Sequence, residues 1–94
     1  MRYFITNMAE IDMGEISDYI SLDNPFAALK WHDNMVSQFE LIAEFPHIGV
    51  AKSKRRPDLR SFPVKNYMVL YQIKSKTVEI VRILHGARDW KRLF

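Results

Sequence analysis

The spacing of apolar residues changes twice along this chain. "RYFIT" (residues 2–6) is aromatic and β-branched, the composition of a short strand. From Asn7 the spacing lengthens. Met8, Ile11, Ile16, Tyr19 and Ile20 fall three, five, three and one residues apart, compatible with one stripe of a helix. Glu10, Asp12, Glu15 and Asp18 take its other side. Gly14 weakens this helix by up to ~1 kcal/mol relative to alanine, so tertiary packing must hold it. Asn24 and Pro25 then punctuate the chain. Asparagine is a good N-cap, and proline is tolerated in a first helical turn. Behind them Ala28, Trp31, Met35, Phe39 and Ile42 recur every three or four residues. That apolar face stops before Pro46 and Gly49. Two helices joined by so few residues make an αα-hairpin.

The second change comes near residue 59, where the period falls to two. "LRSFPV" (59–64) alternates, and its Pro63 argues for an edge or a bulge. "YMVLYQI" (67–73) is apolar on both faces apart from Gln72, as a central strand should be. "TVEIVRIL" (77–84) puts Val78, Ile80, Arg82 and Leu84 on one face by strict alternation. The links "KN" and "KSK" are short enough only for hairpins. Residues 47–60 read as a loop by composition. The predicted architecture is α+β in the order β-αα-βββ: a small, mainly antiparallel sheet packed against an N-terminal helical hairpin. The 94 residues make a single domain, 1–94.

Composition narrows the possibilities. Hydrophobic residues are 48% and charged residues 27%, which favours a folded domain over disorder. Without cysteine there is no disulfide and no thiolate chemistry. That is consistent with a reducing, cytoplasmic setting. The opening "MRYFITNMAE" is not expected to be a signal peptide, and no stretch nears the ~20 apolar residues of a membrane span. No membrane partner is expected. His32, His47 and His85 fall in no metal-ligand spacing, and three glycines offer no phosphate cradle. Neither a metal nor a cofactor is expected.

Charge changes the picture more. Residues 1–46 carry two basic and eight acidic side chains, a net of −6; residues 47–94 carry twelve and three, a net of +9. A basic back half suits an anionic partner. Lys52, Lys54, Arg55, Arg56, Arg60, Arg82, Arg88, Lys91 and Arg92 surround the predicted sheet, with Tyr67, Tyr71, His85 and Trp90 among them. Such a set suits RNA: cations meet phosphates, aromatics stack on unpaired bases, and histidine moves a proton near neutral pH. His85 with Arg82, Arg60 or Arg88 has the chemistry for cleaving RNA through its own 2′-hydroxyl. The same face equally suits an acidic protein. Arg82, among apolar neighbours, needs a partner or water. Either it pairs with an acid from the helices, or it lines an open cleft.

Four motifs in order carry a family resemblance. They are the Asp-Asn-Pro turn in "YISLDNPFAALKWHDNM", the Phe-Pro-x-x-Gly stop, the Arg-Pro-Asp-Leu-Arg-x-Phe approach to the sheet, and the closing "VEIVRILHGARDW". With them the chain resembles the plasmid-stabilisation toxins of the ParE/RelE superfamily, most nearly the ParE branch. The resemblance implies the toxin of a bacterial type II toxin–antitoxin pair, its ParD-like antitoxin encoded alongside and folding a disordered segment along the hairpin and sheet. It implies DNA gyrase as the target in the ParE branch and ribosome-bound mRNA, cleaved by an endoribonuclease, in the RelE branch. Arg56, Arg60, Arg82, Arg88 and Trp90 are then candidates for target binding. His85, Arg82 and Arg60 are candidate catalytic residues on the RelE alternative alone. Tyr19, Trp31 and Met35 are candidates for antitoxin contact. The tail lacks a tyrosine beyond Tyr71, and its "LHGARD" looks like ParE.

Overall fold

The computed structural model describes residues 1–86. It places β1 at Arg2–Ile5, α1 at Asn7–Asp23, α2 at Pro25–Glu44, β2 at Val50–Ala51, β3 at Leu59–Val64, β4 at Tyr67–Lys74 and β5 at Thr77–His85. The five strands form one sheet in the order β1-β5-β4-β3-β2. Only the β1–β5 pair is parallel. β4 is the central strand, as its apolar composition demands. β2 is an addition: two residues inside the segment that composition marks as loop pair with Ser61 and Arg60 of β3. It reaches no further, so Pro63 lies past its end, where a missing N–H costs nothing.

Local chemistry fixes the helices. Thr6 caps α1, its hydroxyl accepting from the Ala9 amide at 3.3 Å. Asn24 alone separates the helices and caps α2, its side-chain oxygen accepting from the Phe26 and Ala27 amides. Pro25 follows in the first turn, where its fixed φ suits the helix. Ala28, Met35, Phe39 and Ile42 are all buried, and Trp31 packs against the core they form. The stripe of α1 differs from the one expected. Ala9, Met13 and Ile16 pack inward, while Met8, Ile11 and Tyr19 are half or more exposed. α1 is apolar on two faces, and spacing alone selects the wrong one.

The core lies between the hairpin and one face of the sheet. Phe39, Met35 and Ile42 meet Val69, Tyr71, Val78, Ile80 and Ile83. Ile83 is there because β5 is irregular. Tyr71 pairs with Ile80 but Leu70 with Arg82, which leaves Val81 as an extra residue. The bulge shifts the alternation by one. Strict alternation puts Arg82 and Leu84 with Val78 and Ile80; the structure puts Ile83 there instead. The β4–β5 turn places both Ser75 (φ 52°) and Lys76 (φ 61°) in the left-handed region without glycine.

Gly14 sits inside α1 with open space where a side chain would project. Gly14→Ala is therefore expected to raise folding stability by about 0.5–1 kcal/mol. Urea unfolding at equal slope measures it.

Candidate functional site

β5 is longer than β1. β1 covers Thr77–Ile80, and beyond that the edge of β5 has no strand beside it. The start of α1 closes this edge. The Thr6 amide donates to the Ile80 carbonyl, and the Thr6 hydroxyl lies 2.9 Å from that oxygen and 3.1 Å from the Val81 carbonyl. In the second turn of α1, Asp12 meets the next amide of that edge. One of its carboxylate oxygens accepts from the Ile83 amide at 2.9 Å and from Arg82 Nε at 2.8 Å; the other accepts from Arg82 Nη2 at 3.0 Å. This is a two-pronged, charge-assisted pair, with Asp12 buried. The bond to Asp12 holds the Arg82 guanidinium above its ordinary value, against burial. Arg82 therefore takes the first of its two sequence-level options, the acid from the helices, and does not line an open cleft. The expected position of Asp12 on the outer side of α1 is corrected too.

A second lock sits at the end of α2. The Tyr71 phenol, fully buried, donates to the Pro46 carbonyl at 2.7 Å and accepts from the Gly49 amide at 2.9 Å. A Cβ on Gly49 would stand 2.7 Å from that oxygen, so only glycine fits. Arg60 joins from β3, its Nη1 donating to the carbonyls of Gly49 at 2.7 Å and His47 at 3.3 Å. Tyr71 is thus no platform for a stacked base, and Arg60 spends its head group on the loop.

His85, exposed at the end of β5, faces Tyr67 at a ring separation of 5.1 Å. Tyr67 meets Trp31 edge-on at 5.4 Å. His85 pairs with Tyr67 and Arg60 with Tyr71, four residues further along β4. At ~3.4 Å per residue that is about 13 Å of strand, and the Arg60 head group is held on the loop carbonyls of His47 and Gly49. Arg82 is already bonded to Asp12, so the three residues of the nuclease reading do not assemble. Arg56 is exposed and holds Asp58 loosely at 3.5 Å, lowering that carboxyl. Arg88 and Trp90 lie outside the described residues. Of the antitoxin candidates, Met35 is fully buried and cannot touch a partner. Trp31 is half-buried against Tyr67, and Tyr19 stands 74% exposed. Leu22, Phe26 and Leu29, which periodicity passed over, are exposed on either side of the Asn24 turn.

Among the described residues no cluster of His, Cys, Asp or Glu could hold a metal ion. Among them, too, no helix is long and apolar enough to cross a membrane.

Comparison with known proteins bears on the family and the fold. The family described as "ParE toxin of type II toxin-antitoxin system, parDE" matches residues 3–90. Toxin ParE3 of Caulobacter vibrioides is 44% identical over 50 residues, an alignment spanning 53% of this chain and half of that protein's length. A putative toxin, Y4kP, of Sinorhizobium fredii is 29% identical over 99% of this chain and 94% of its own. A solved structure titled "Chromosomal ParDE TA system from P. aeruginosa" superposes with a TM-score of 0.76 at 24% identity, covering 93% of this chain and 97% of that one. At that identity the likeness establishes the fold.

Two variants test the locks. Asp12→Ala strands a half-buried guanidinium and the Ile83 amide, and is expected to cost about 3 kcal/mol; calorimetric melting measures it. Tyr71→Phe leaves the buried Gly49 amide without an acceptor, a loss of about 1–3 kcal/mol at pH 7. Burial, opposed by the Gly49 amide and Arg60, raises the Tyr71 phenol. Its contribution is complete below the ordinary tyrosine value of about 10 and is lost as pH climbs through the higher folded value. Tyr67, raised by burial and then by Tyr19, acts in the same direction. Urea melts from pH 8 to 11 should show stability falling, less steeply in Tyr71→Phe.

Proposed function

The chain belongs to the family of ParE toxins of type II toxin–antitoxin systems, and from that premise we propose that it arrests growth by inhibiting DNA gyrase until a ParD-like antitoxin, encoded beside it, neutralises it. The match over residues 3–90, almost the whole chain, carries this reading. The chemistry of the surface supports it. A ribosome-directed nuclease needs an acid–base group and free cations around one scissile phosphate. Here Arg82 and Arg60 have internal partners, and His85 stands apart from Arg60. A protein inhibitor needs only a surface. Two are on offer. The loop after β2 presents Lys54, Arg55 and Arg56 to solvent, and Arg88 and Trp90 follow β5 in sequence. The hairpin presents Tyr19, Leu22, Phe26 and Leu29, between 63% and 88% exposed. Exposed apolar side chains on such a scale suit a partner that folds onto them. The basic loop and tail are then assigned to gyrase, and the hairpin to the antitoxin.

The purified chain is expected to block plasmid supercoiling by gyrase or to trap cleaved DNA, and to leave mRNA on translating ribosomes intact. Removing residues 87–94 should weaken inhibition about tenfold or more, a change of ~1.4 kcal/mol, with antitoxin binding kept. Cut mRNA with normal supercoiling would move the target to the ribosome.

A further inference from the structure

Between α1 and the end of the β4–β5 ladder lies an open pocket of about 260 Å³, lined by Glu15, Ile16, Tyr19, Tyr67 and His85. Three of its five walls are aromatic rings, and a fourth is a carboxylate. Resting on the antitoxin reading above, we infer that this pocket receives an arginine side chain carried by the antitoxin.

Four observations converge on a cation. First, the rings of two phenols and an imidazole line the space. The face of an aromatic ring carries negative quadrupole density and attracts a guanidinium. Second, among the described residues Glu15 makes no ion pair. Arg82 is near enough to feel Glu15 but is committed to Asp12. Among the described residues, two carboxylates against one guanidinium leave one negative charge over, beside the pocket. Third, two of the walls, Tyr67 and His85, are already held by ring contacts. Trp31 meets Tyr67 edge-on at 62°, and His85 tilts against Tyr67 at 33°. Little side-chain freedom is then lost on binding. Fourth, Ile16 supplies an apolar surface for the methylenes of a long cationic side chain, which prefers to lay its stem on such a surface. The phenol of Tyr67 is raised by burial and then by Tyr19 and is neutral at pH 7.

An apolar anchor in the same space would strip water from Glu15 and give it nothing in return, a cost of a kind that interfaces avoid. Arginine is favoured over lysine because its planar head stacks on a ring while its N–H groups reach a carboxylate. The pocket opens beside the exposed Tyr19 and Leu22 of the hairpin, the surface assigned above to the antitoxin.

The test pairs a small probe with the complex. Ring resonances of Tyr19, Tyr67 and His85 in the full chain are followed by NMR during titration with acetyl-arginine amide, acetyl-citrulline amide and acetyl-leucine amide. Saturable shifts with arginine and none with its neutral isostere citrulline are expected. Glu15→Gln, with an unchanged melting temperature, should weaken arginine binding about tenfold and antitoxin binding by a similar factor. Equal shifts with leucine, or a Glu15→Gln chain that binds antitoxin at full affinity, overturns the pocket and leaves the antitoxin reading standing. Arginine shifts without any complex with the neighbouring gene's product overturn the antitoxin reading, and with it the source of the arginine.

Discussion

The fold turns on one unequal pair of strands. β5 runs on for five residues past the last one that β1 covers, and a strand edge left open is costly and prone to stray pairing. The chain closes that edge with the helix that follows β1. Thr6 meets the carbonyls at the bulge, and Asp12 meets the next amide and the guanidinium between them. The same few atoms that finish the sheet therefore hold the helical layer against it. Position and angle of α1 are fixed by hydrogen bonds, which have direction, where apolar packing alone has little. The weak helix former Gly14 is tolerable for that reason. A helix tied at both its cap and its second turn does not depend on its intrinsic propensity.

The other end of the molecule repeats the device with different groups. α2 stops at Glu44, and the chain must turn back to begin β2 within six residues. Tyr71 reaches from the centre of the sheet to hold Pro46 and Gly49, and Arg60 braces the same stretch from β3. Each lock spends a strand arginine and a buried polar group, Arg82 on the Asp12 carboxylate and Arg60 beside Tyr71 on loop backbone. The cost is a stock of cations withdrawn from the surface.

The order of elements was legible because apolar period is a direct readout of secondary structure. The N-cap at Asn24, the stop before Pro46 and the central position of β4 all follow from it. What escaped has physical causes. α1 is apolar on two faces, so the period was right and the face wrong; the spacing of Ala9, Asp12, Met13 and Ile16, small and acidic residues included, traces the true one. The bulge at Val81 leaves no mark in the run "TVEIVRIL", yet it alone decides the surroundings of Arg82. Tyr71 was read as an aromatic among cations because sequence does not reveal that a tyrosine in a central strand is buried to its hydroxyl. β2 is too short for any alternation to show. Exposed Leu22, Phe26 and Leu29 look, in sequence, no different from core.

Net charge deserves the same scrutiny. The +9 of the back half invites the picture of one continuous cationic face. The structure divides that charge into three uses. Arg82 neutralises a carboxylate from the acidic half, so the two halves are complementary within the fold before they meet any partner. Arg60 binds backbone carbonyls. Among the described residues only the exposed run Lys54, Arg55 and Arg56 on the loop after β2 is concentrated enough to act at a distance, and Asp58 tempers even that. Long-range attraction depends on charge that solvent can reach. The whole-chain total therefore overstates what a target feels. Conversely, the acidic half loses Asp12 to the interior but keeps Glu15, Asp18 and Asp23 exposed beside Tyr19 and Leu22. A partner of the hairpin meets an apolar surface edged with negative charge, while a partner of the loop meets a positive one. Surfaces so opposed in sign select different partners, which is what a protein needs if one partner must hold it back and another must be its target.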